Sequence, residues 1–269
     1  MEQITSHDGT IISYKRSGSG PPLILVHGTT ASHKRWESIT PRFEPYFTII
    51  AMDRRGRGES GDGPEYNLLR EAEDIAALAE ALEEPAAVFG HSYGGLCSLE
   101  AALLTDKISK LIIYEAPLPT DEPLYPPGVP ERMQEAIELG ELETALEIMI
   151  REVVNMPDEE FEMYRQLPMW KERVKIAPTI PREMEIELSY TFDRQRLSGL
   201  TIPVLLLAGG DSPPFFQKTT GMLHDVLPNS RIVSMPGQQH IAMDTNPDLF
   251  VKEVLNFLEM HQADEPAID

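Results

Sequence analysis

Along the first hundred positions, apolar residues fall into short runs separated by longer amphipathic stretches. Residues 11–14, 23–26, 48–52 and 86–89 are mostly aliphatic or β-branched, without clean polar alternation. Runs of that kind suit strands covered on both faces. Residues 110–114, 204–208 and 231–235 repeat the pattern further on. Between the runs, 68–82, 94–104, 216–227 and 247–259 space their apolar positions as helices do. Strand alternating with helix predicts an α/β fold, with a mostly parallel, doubly wound sheet flanked by helices.

One stretch breaks this rhythm. No strand pattern occurs from 117 to 200. A proline-rich loop at 117–130 leads into expected helices at 131–154, 158–174 and 181–194. The expected organisation is therefore a core made of 1–116 and 201–261, interrupted by a helical cap at 117–200. A polar, acidic tail at 262–269 is expected to be disordered. Met133, Met149, Met156, Met163, Met169 and Met184 are scattered through the inserted segment. Most are expected to be core residues of a small helical subdomain. A pliable lid over a pocket is the other reading, with Met133, Met149, Trp170 and Tyr190 as lining for a medium-sized apolar substrate.

Charge and cysteine usage narrow the function classes. The chain of 269 residues carries a formal net charge of −21. Nucleic acid and anionic membrane surfaces need a basic footprint, so neither is expected as a partner. No apolar run reaches the length of a membrane span, and the N-terminus has no basic stretch followed by an apolar one. A lone cysteine, Cys97, allows no internal disulfide and fits a reducing, cytoplasmic setting. Self-association stays open.

The strongest chemical signal is Gly90-His91-Ser92-Tyr93-Gly94-Gly95. It follows the expected strand at 86–89 and opens the expected helix at 94. That is the context a G-x-S-x-G nucleophile elbow requires. Gly90 and Gly94 lack the Cβ atoms that would collide in so tight a turn. The turn would lift the Ser92 hydroxyl above the sheet and aim the helix N-terminus at developing negative charge. A serine hydroxyl needs a base to take its proton. His240, in Pro236-Gly237-Gln238-Gln239-His240, lies between the last strand and the final helix, where the order serine, acid, histidine puts the base. His7 and His261 are terminal, His224 sits in a helical pattern and His33 in a polar loop. His27 and His91 lie inside glycine motifs and read as structural. For the carboxylate that fixes the histidine tautomer, Asp211 and Glu115 both follow expected strands.

With His27-Gly28 and Asp53-Arg54-Arg55-Gly56-Arg57-Gly58-Glu59-Ser60, these motifs resemble the α/β-hydrolase superfamily along nearly the whole chain outside the inserted segment. The resemblance bears on the acid. Relatives usually carry it as the third residue after a strand-ending glycine, which counted from Gly209 is Ser212; Asp211 falls one short. Ile113-Tyr114-Glu115-Ala116-Pro117 is similar to the subset, including some haloalkane dehalogenases and lactone hydrolases, that uses a glutamate after the preceding strand. The resemblance thus favours Glu115, with Asp211 as the alternative. It also implies backbone N–H donors for an oxyanion from Thr29 and Tyr93. The Asp53–Ser60 motif is expected to brace this loop region, its arginines structural or solvated.

Serine at position 92 disfavours the aspartate-dependent dehalogenase and epoxide hydrolase reactions of the superfamily. No paired metal-ligand spacing and no phosphate-cradling loop occur, so no metal and no cofactor are expected. The expected activity is hydrolysis of a carboxylic ester or lactone of a small-molecule substrate through an acyl-enzyme. Carbon–carbon cleavage of a diketone and cofactor-free peroxidase chemistry are the enzymatic alternatives. A small-molecule receptor on a hydrolase fold is the non-enzymatic one.

Overall fold

The computed structural model describes residues 1–154, 156, 158–166 and 168–260. Eight strands form one sheet: β1 (Glu2–Thr5), β2 (Ile11–Gly18), β3 (Pro22–Val26), β4 (Thr48–Met52), β5 (Ala86–His91), β6 (Ile108–Tyr114), β7 (Val204–Gly209) and β8 (Ser230–Met235). Their spatial order is β1-β2-β4-β3-β5-β6-β7-β8. The β1–β2 and β2–β4 pairs are antiparallel and all the others parallel.

The central strands alternate strictly between two buried faces. Ile24, Val26, Ile50, Met52, Val88, Leu111, Ile113 and Leu206 pack on one side. Leu23, Leu25, Ile49, Phe89, Ile112, Leu205 and Leu207 pack on the other. Both sets are apolar because both faces are covered, which is why the sequence shows runs rather than alternation. Helices α2 (Leu68–Glu80) and α3 (Tyr93–Ala101) supply residues to the first side. Helices α1 (Thr40–Phe43) and, at the chain's end, α12 (Pro247–Met260) supply the second. The Asn67 side chain caps α2 by accepting the Arg70 N–H at 3.0 Å.

Between β6 and β7 come α4 (Val129–Glu138), α5 (Leu142–Ile148), a π-helical turn (Met149–Val153), α6 (Asp158–Tyr164), α7 (Pro168–Ile176), α8 (Ile180–Ser189) and α9 (Arg194–Leu197). The single helix expected at 131–154 is broken in two, because Gly140 adopts φ +79° and ends the first piece. The helix expected at 158–174 is also two, and the one expected at 181–194 stops where Tyr190 turns extended at ψ 129°. Val129, Met133, Leu146, Ile150, Phe161, Trp170, Ile180 and Met184 form a separate apolar cluster within this segment. After β7 follow α10 (Pro214–His224), β8 and α11 (Ala242–Thr245). The tail at 262–269 lies outside the described residues, and no helix among them is long and apolar enough to cross a membrane.

Candidate active site

Strand β5 runs into α3 through Ser92, whose backbone sits at φ 55° and ψ −128°. A Cβ on Gly90 would lie 2.5 Å from the Gly94 carbonyl and the Ser98 hydroxyl, and one on Gly94 2.5 Å from the Val26 carbonyl. Only glycine fits at either position. The Ser92 N–H donates to the Tyr114 carbonyl at 2.9 Å, tying the elbow to β6. Among the described residues, three non-glycine residues have positive φ: Thr30 (61°), Ser92 (55°) and Glu115 (50°). Each sits just beyond the C-terminal end of a parallel strand, β3, β5 or β6. Such backbone costs about 1–3 kcal/mol per residue, so its concentration at the C-terminal ends of these strands singles out a candidate site.

Glu115 and His240 meet there. His240 Nδ1 donates to Glu115 Oε2 at 2.6 Å, and Glu115 Oε1 accepts the Gly209 N–H at 2.7 Å. The Glu115 side chain is fully enclosed. With Nδ1 carrying the proton, Nε2 is left as the basic nitrogen. The loop around His240 is pinned from below. The Tyr114 hydroxyl donates to the Gln239 carbonyl and accepts the Ala242 N–H at 3.2 Å. His91 Nε2–H donates to the His240 carbonyl at 2.8 Å. Burial, aided by His240 and Arg35, pushes the His91 pKa well below its ordinary value, so that ring is neutral. The His240 imidazole lies between His91, with centroids 4.5 Å apart, and Phe216, stacked at 4.5 Å and 16°. Asp211 is exposed, and its backbone N–H donates to the Gln238 carbonyl at 2.9 Å. No bond joins its carboxylate to His240 among the described residues. At the neighbouring Ser212 the hydroxyl is buried without a partner.

The β3 loop closes on the same point. A Cβ on Gly28 would sit 3.0 Å from both the Ser92 Cβ and the His91 carbonyl. Thr29 follows, half-buried, and Tyr93 is fully buried. Arg54 holds this loop: its Nε–H donates to the His27 carbonyl at 2.9 Å and Nη2 to the Gly28 carbonyl at 3.3 Å. The same guanidinium donates to Glu71 at 2.8 Å and Glu183 at 2.6 Å, and Arg57 also donates to Glu183 at 2.6 Å. Burial alone would raise the Glu183 carboxyl; Arg54 and Arg57 outweigh it and hold the group below its ordinary range. Arg55 forms a two-pronged pair with Asp74 at 2.7 Å. These arginines are buried rather than solvated, each charge matched by a carboxylate because an unpaired one could not be enclosed. Asp53 accepts N–H groups of His33 at 2.7 Å and Glu59 at 3.0 Å.

The suggested pocket lining is engaged elsewhere. Met133 and Trp170 pack inside the inserted segment's own cluster, Met149 packs against it, and the Tyr190 hydroxyl donates to Glu100 at 2.7 Å. Phe216, Tyr114 and Glu183 carry no sequence signal for this site. Phe216 only opens an expected helix and Tyr114 only closes an expected strand, and Glu183 lies 129 residues from Arg54 along the chain.

Residues 23–253 match the sequence profile of the Alpha/beta hydrolase family. A bifunctional esterase/perhydrolase of Acinetobacter calcoaceticus is 26% identical over 96% of this chain and 99% of that one. Among solved structures, an alpha/beta hydrolase from Sphaerobacter thermophilus is 35% identical with a TM-score of 0.85, covering 96% of this chain and 100% of the other. The esterase RhEst1 from Rhodococcus sp. ECU1013 is 25% identical with a TM-score of 0.77, covering 96% and 98%.

Proposed function

Because this chain belongs to the α/β-hydrolase family, we propose that it is a serine hydrolase cleaving a carboxylic ester or lactone through an acyl-enzyme. The observation that carries the reading is the 2.6 Å bond from His240 Nδ1 to Glu115, the His240 ring packing 4.5 Å from His91, which directly precedes Ser92 in the positive-φ elbow. Ser92 Oγ attacks the substrate carbonyl while His240 Nε2 takes its proton. The carbonyl oxygen, now carrying the negative charge, is met by the N–H groups of Thr29 and Tyr93. Collapse of this intermediate breaks the ester C–O bond, and His240 returns the proton to the leaving alkoxide. A water then adds to the acyl carbon by the same route, releasing the acid and restoring Ser92. Glu115 holds the imidazole tautomer throughout and stabilises the imidazolium as it forms. Helices α4–α9 act as a cap that excludes bulk water.

A second reading has specific support. The Acinetobacter calcoaceticus relative is named an esterase/perhydrolase, and a Streptomyces lividans relative, 26% identical, a non-heme chloroperoxidase. Attack of hydrogen peroxide instead of water on the same acyl-enzyme would give a peracid and need no further group. The test is turnover of a chromogenic short-chain ester, with and without peroxide. We expect rapid hydrolysis, lost by about 10⁴-fold or more in Ser92→Ala. Peracid formed at the expense of acid supports perhydrolysis. Ester turnover retained in Ser92→Ala, or faster turnover of a diketone, overturns the assignment.

A further inference from the structure

Arg173 on α7 is a half-buried arginine without a counter-charge. Arg57 and Arg173 both have guanidinium groups pushed down by burial. Arg57 is compensated by Glu183. No carboxylate lies within ion-pair reach of Arg173 among the described side chains, although the chain holds 44 acidic residues against 23 Lys and Arg. Its guanidinium lies over the face of Tyr164, 5.3 Å from the ring centroid, and Nη1 donates to Thr30 Oγ1 at 3.4 Å. The charges facing it are Arg35 and Asp244, and these two are already joined by a two-pronged bond of 2.8 and 2.7 Å. The pair is neutral as a whole, so the positive charge of Arg173 stays unmatched.

Thr30 ties this cation to the reaction centre. It follows Thr29 directly, and its φ of 61° is a conformation that a β-branched residue adopts only under constraint. That backbone turns its buried hydroxyl toward the guanidinium. On the other flank, Asp244 lies four residues beyond His240, and Arg35 acts electrostatically on His91, whose ring meets His240. Arg173 therefore stands where the β3 loop and the His240 loop converge.

From this arrangement we propose that Arg173, with the Thr30 hydroxyl, binds a carboxylate carried by the substrate. The proposal rests on the serine-hydrolase reading and names its substrate class: an ester bearing a free carboxylate on its acyl or its alcohol part. A carboxylate supplies the missing negative charge and the acceptor oxygens that a planar guanidinium prefers. The overall charge of −21 does not oppose this, because a local cation within a low-dielectric site acts more strongly than screened surface charges.

The experiment compares matched esters on one preparation. The acyl arm sets mono-p-nitrophenyl glutarate against p-nitrophenyl pentanoate; the alcohol arm sets 4-carboxyphenyl butyrate against phenyl butyrate. In the wild type we expect kcat/KM for the charged member of one arm to exceed that of its neutral partner by about tenfold or more, mainly through KM. In Arg173→Gln that ratio falls to about one or below, and in Arg173→Lys it falls part of the way. Taking ratios removes any difference in folded fraction. A second readout is competitive inhibition by glutarate, expected for the wild type and lost in Arg173→Gln. No preference for either charged ester in the wild type, or a ratio unchanged in Arg173→Gln, overturns the proposal. Charged-ester hydrolysis that survives in Ser92→Ala instead overturns the serine reading on which it rests.

Discussion

Glu183, on α8 of the inserted segment, accepts a 2.6 Å hydrogen bond from Arg54, the residue whose other donors hold the His27 and Gly28 carbonyls of the β3 loop. One guanidinium thus joins the inserted helices to the loop beside Ser92. Arg54, Arg57, Glu71 and Glu183 together carry two charges of each sign, all enclosed. Replacing Glu183 leaves two buried cations against one carboxylate. Glu183→Gln is expected to lower stability by about 3–5 kcal/mol, read as a lower denaturant midpoint. A loss below about 1 kcal/mol would show that the cluster does not hold the segment down.

The two candidate acids separate cleanly by substitution. Glu115→Gln should cost about 10⁴-fold in kcat, because the one amide oxygen cannot accept both the Gly209 N–H and Nδ1–H, and the neutral amide does not stabilise the imidazolium. Asp211→Asn, at an exposed position, should change kcat by no more than about twofold. The reverse pattern in ester turnover would return the role to Asp211.

Two glycines test the close approaches around the elbow. Gly94→Ala would drive a Cβ into the backbone at Val26 and His27, and should prevent a stable fold. Gly28→Ala meets its neighbours at 3.0 Å, a contact relieved by shifts of a few tenths of an ångström. It should keep the fold and lose kcat by about 10²-fold, since the loop moves off the reacting carbonyl. Thermal melting and turnover, measured together, distinguish the two outcomes.

How much of this could be read from the chain depended on distance along it. The elbow was legible because Gly90, Ser92 and Gly94 lie within five positions and answer to one local strain. The central sheet strands were legible because both of their faces are apolar. Strand β1 was not, since Glu2–Thr5 is exposed or half-buried along its length and pairs at the sheet edge. The helical segment was read as helical, but its breaks depend on single residues such as Gly140. The roles of Phe216 and Tyr114 were not legible, because stacking on an imidazole or bonding a distant carbonyl leaves no local pattern. Pairings such as Arg54 with Glu183 are set by tertiary packing alone.

Glu187, one turn beyond Glu183 on α8, gives a pH prediction. Burial, only partly opposed by Arg54, pushes its carboxyl from an ordinary 4.5 up to about 8. The folded protein therefore keeps a proton that the unfolded chain releases above 4.5. The stabilisation this confers is complete below pH 4.5 and is lost as pH rises toward 8. Relative to Glu187→Gln, the wild type should lose up to about 1.4 kcal/mol per pH unit in that window and level off above it. Denaturant unfolding of both proteins from pH 5 to 9 checks this; parallel curves would contradict a buried neutral Glu187.

A covalent acyl bond to Ser92 is the step on which the proposed reaction depends, and mass spectrometry of the protein quenched in acid during ester turnover reads it directly. An added mass equal to the acyl group is expected, mapped to the peptide containing Ser92, absent in Ser92→Ala and removed by further incubation with water before the quench. Rapid turnover under rate-limiting deacylation with no acyl mass on that peptide, or with the mass on another residue, would contradict it.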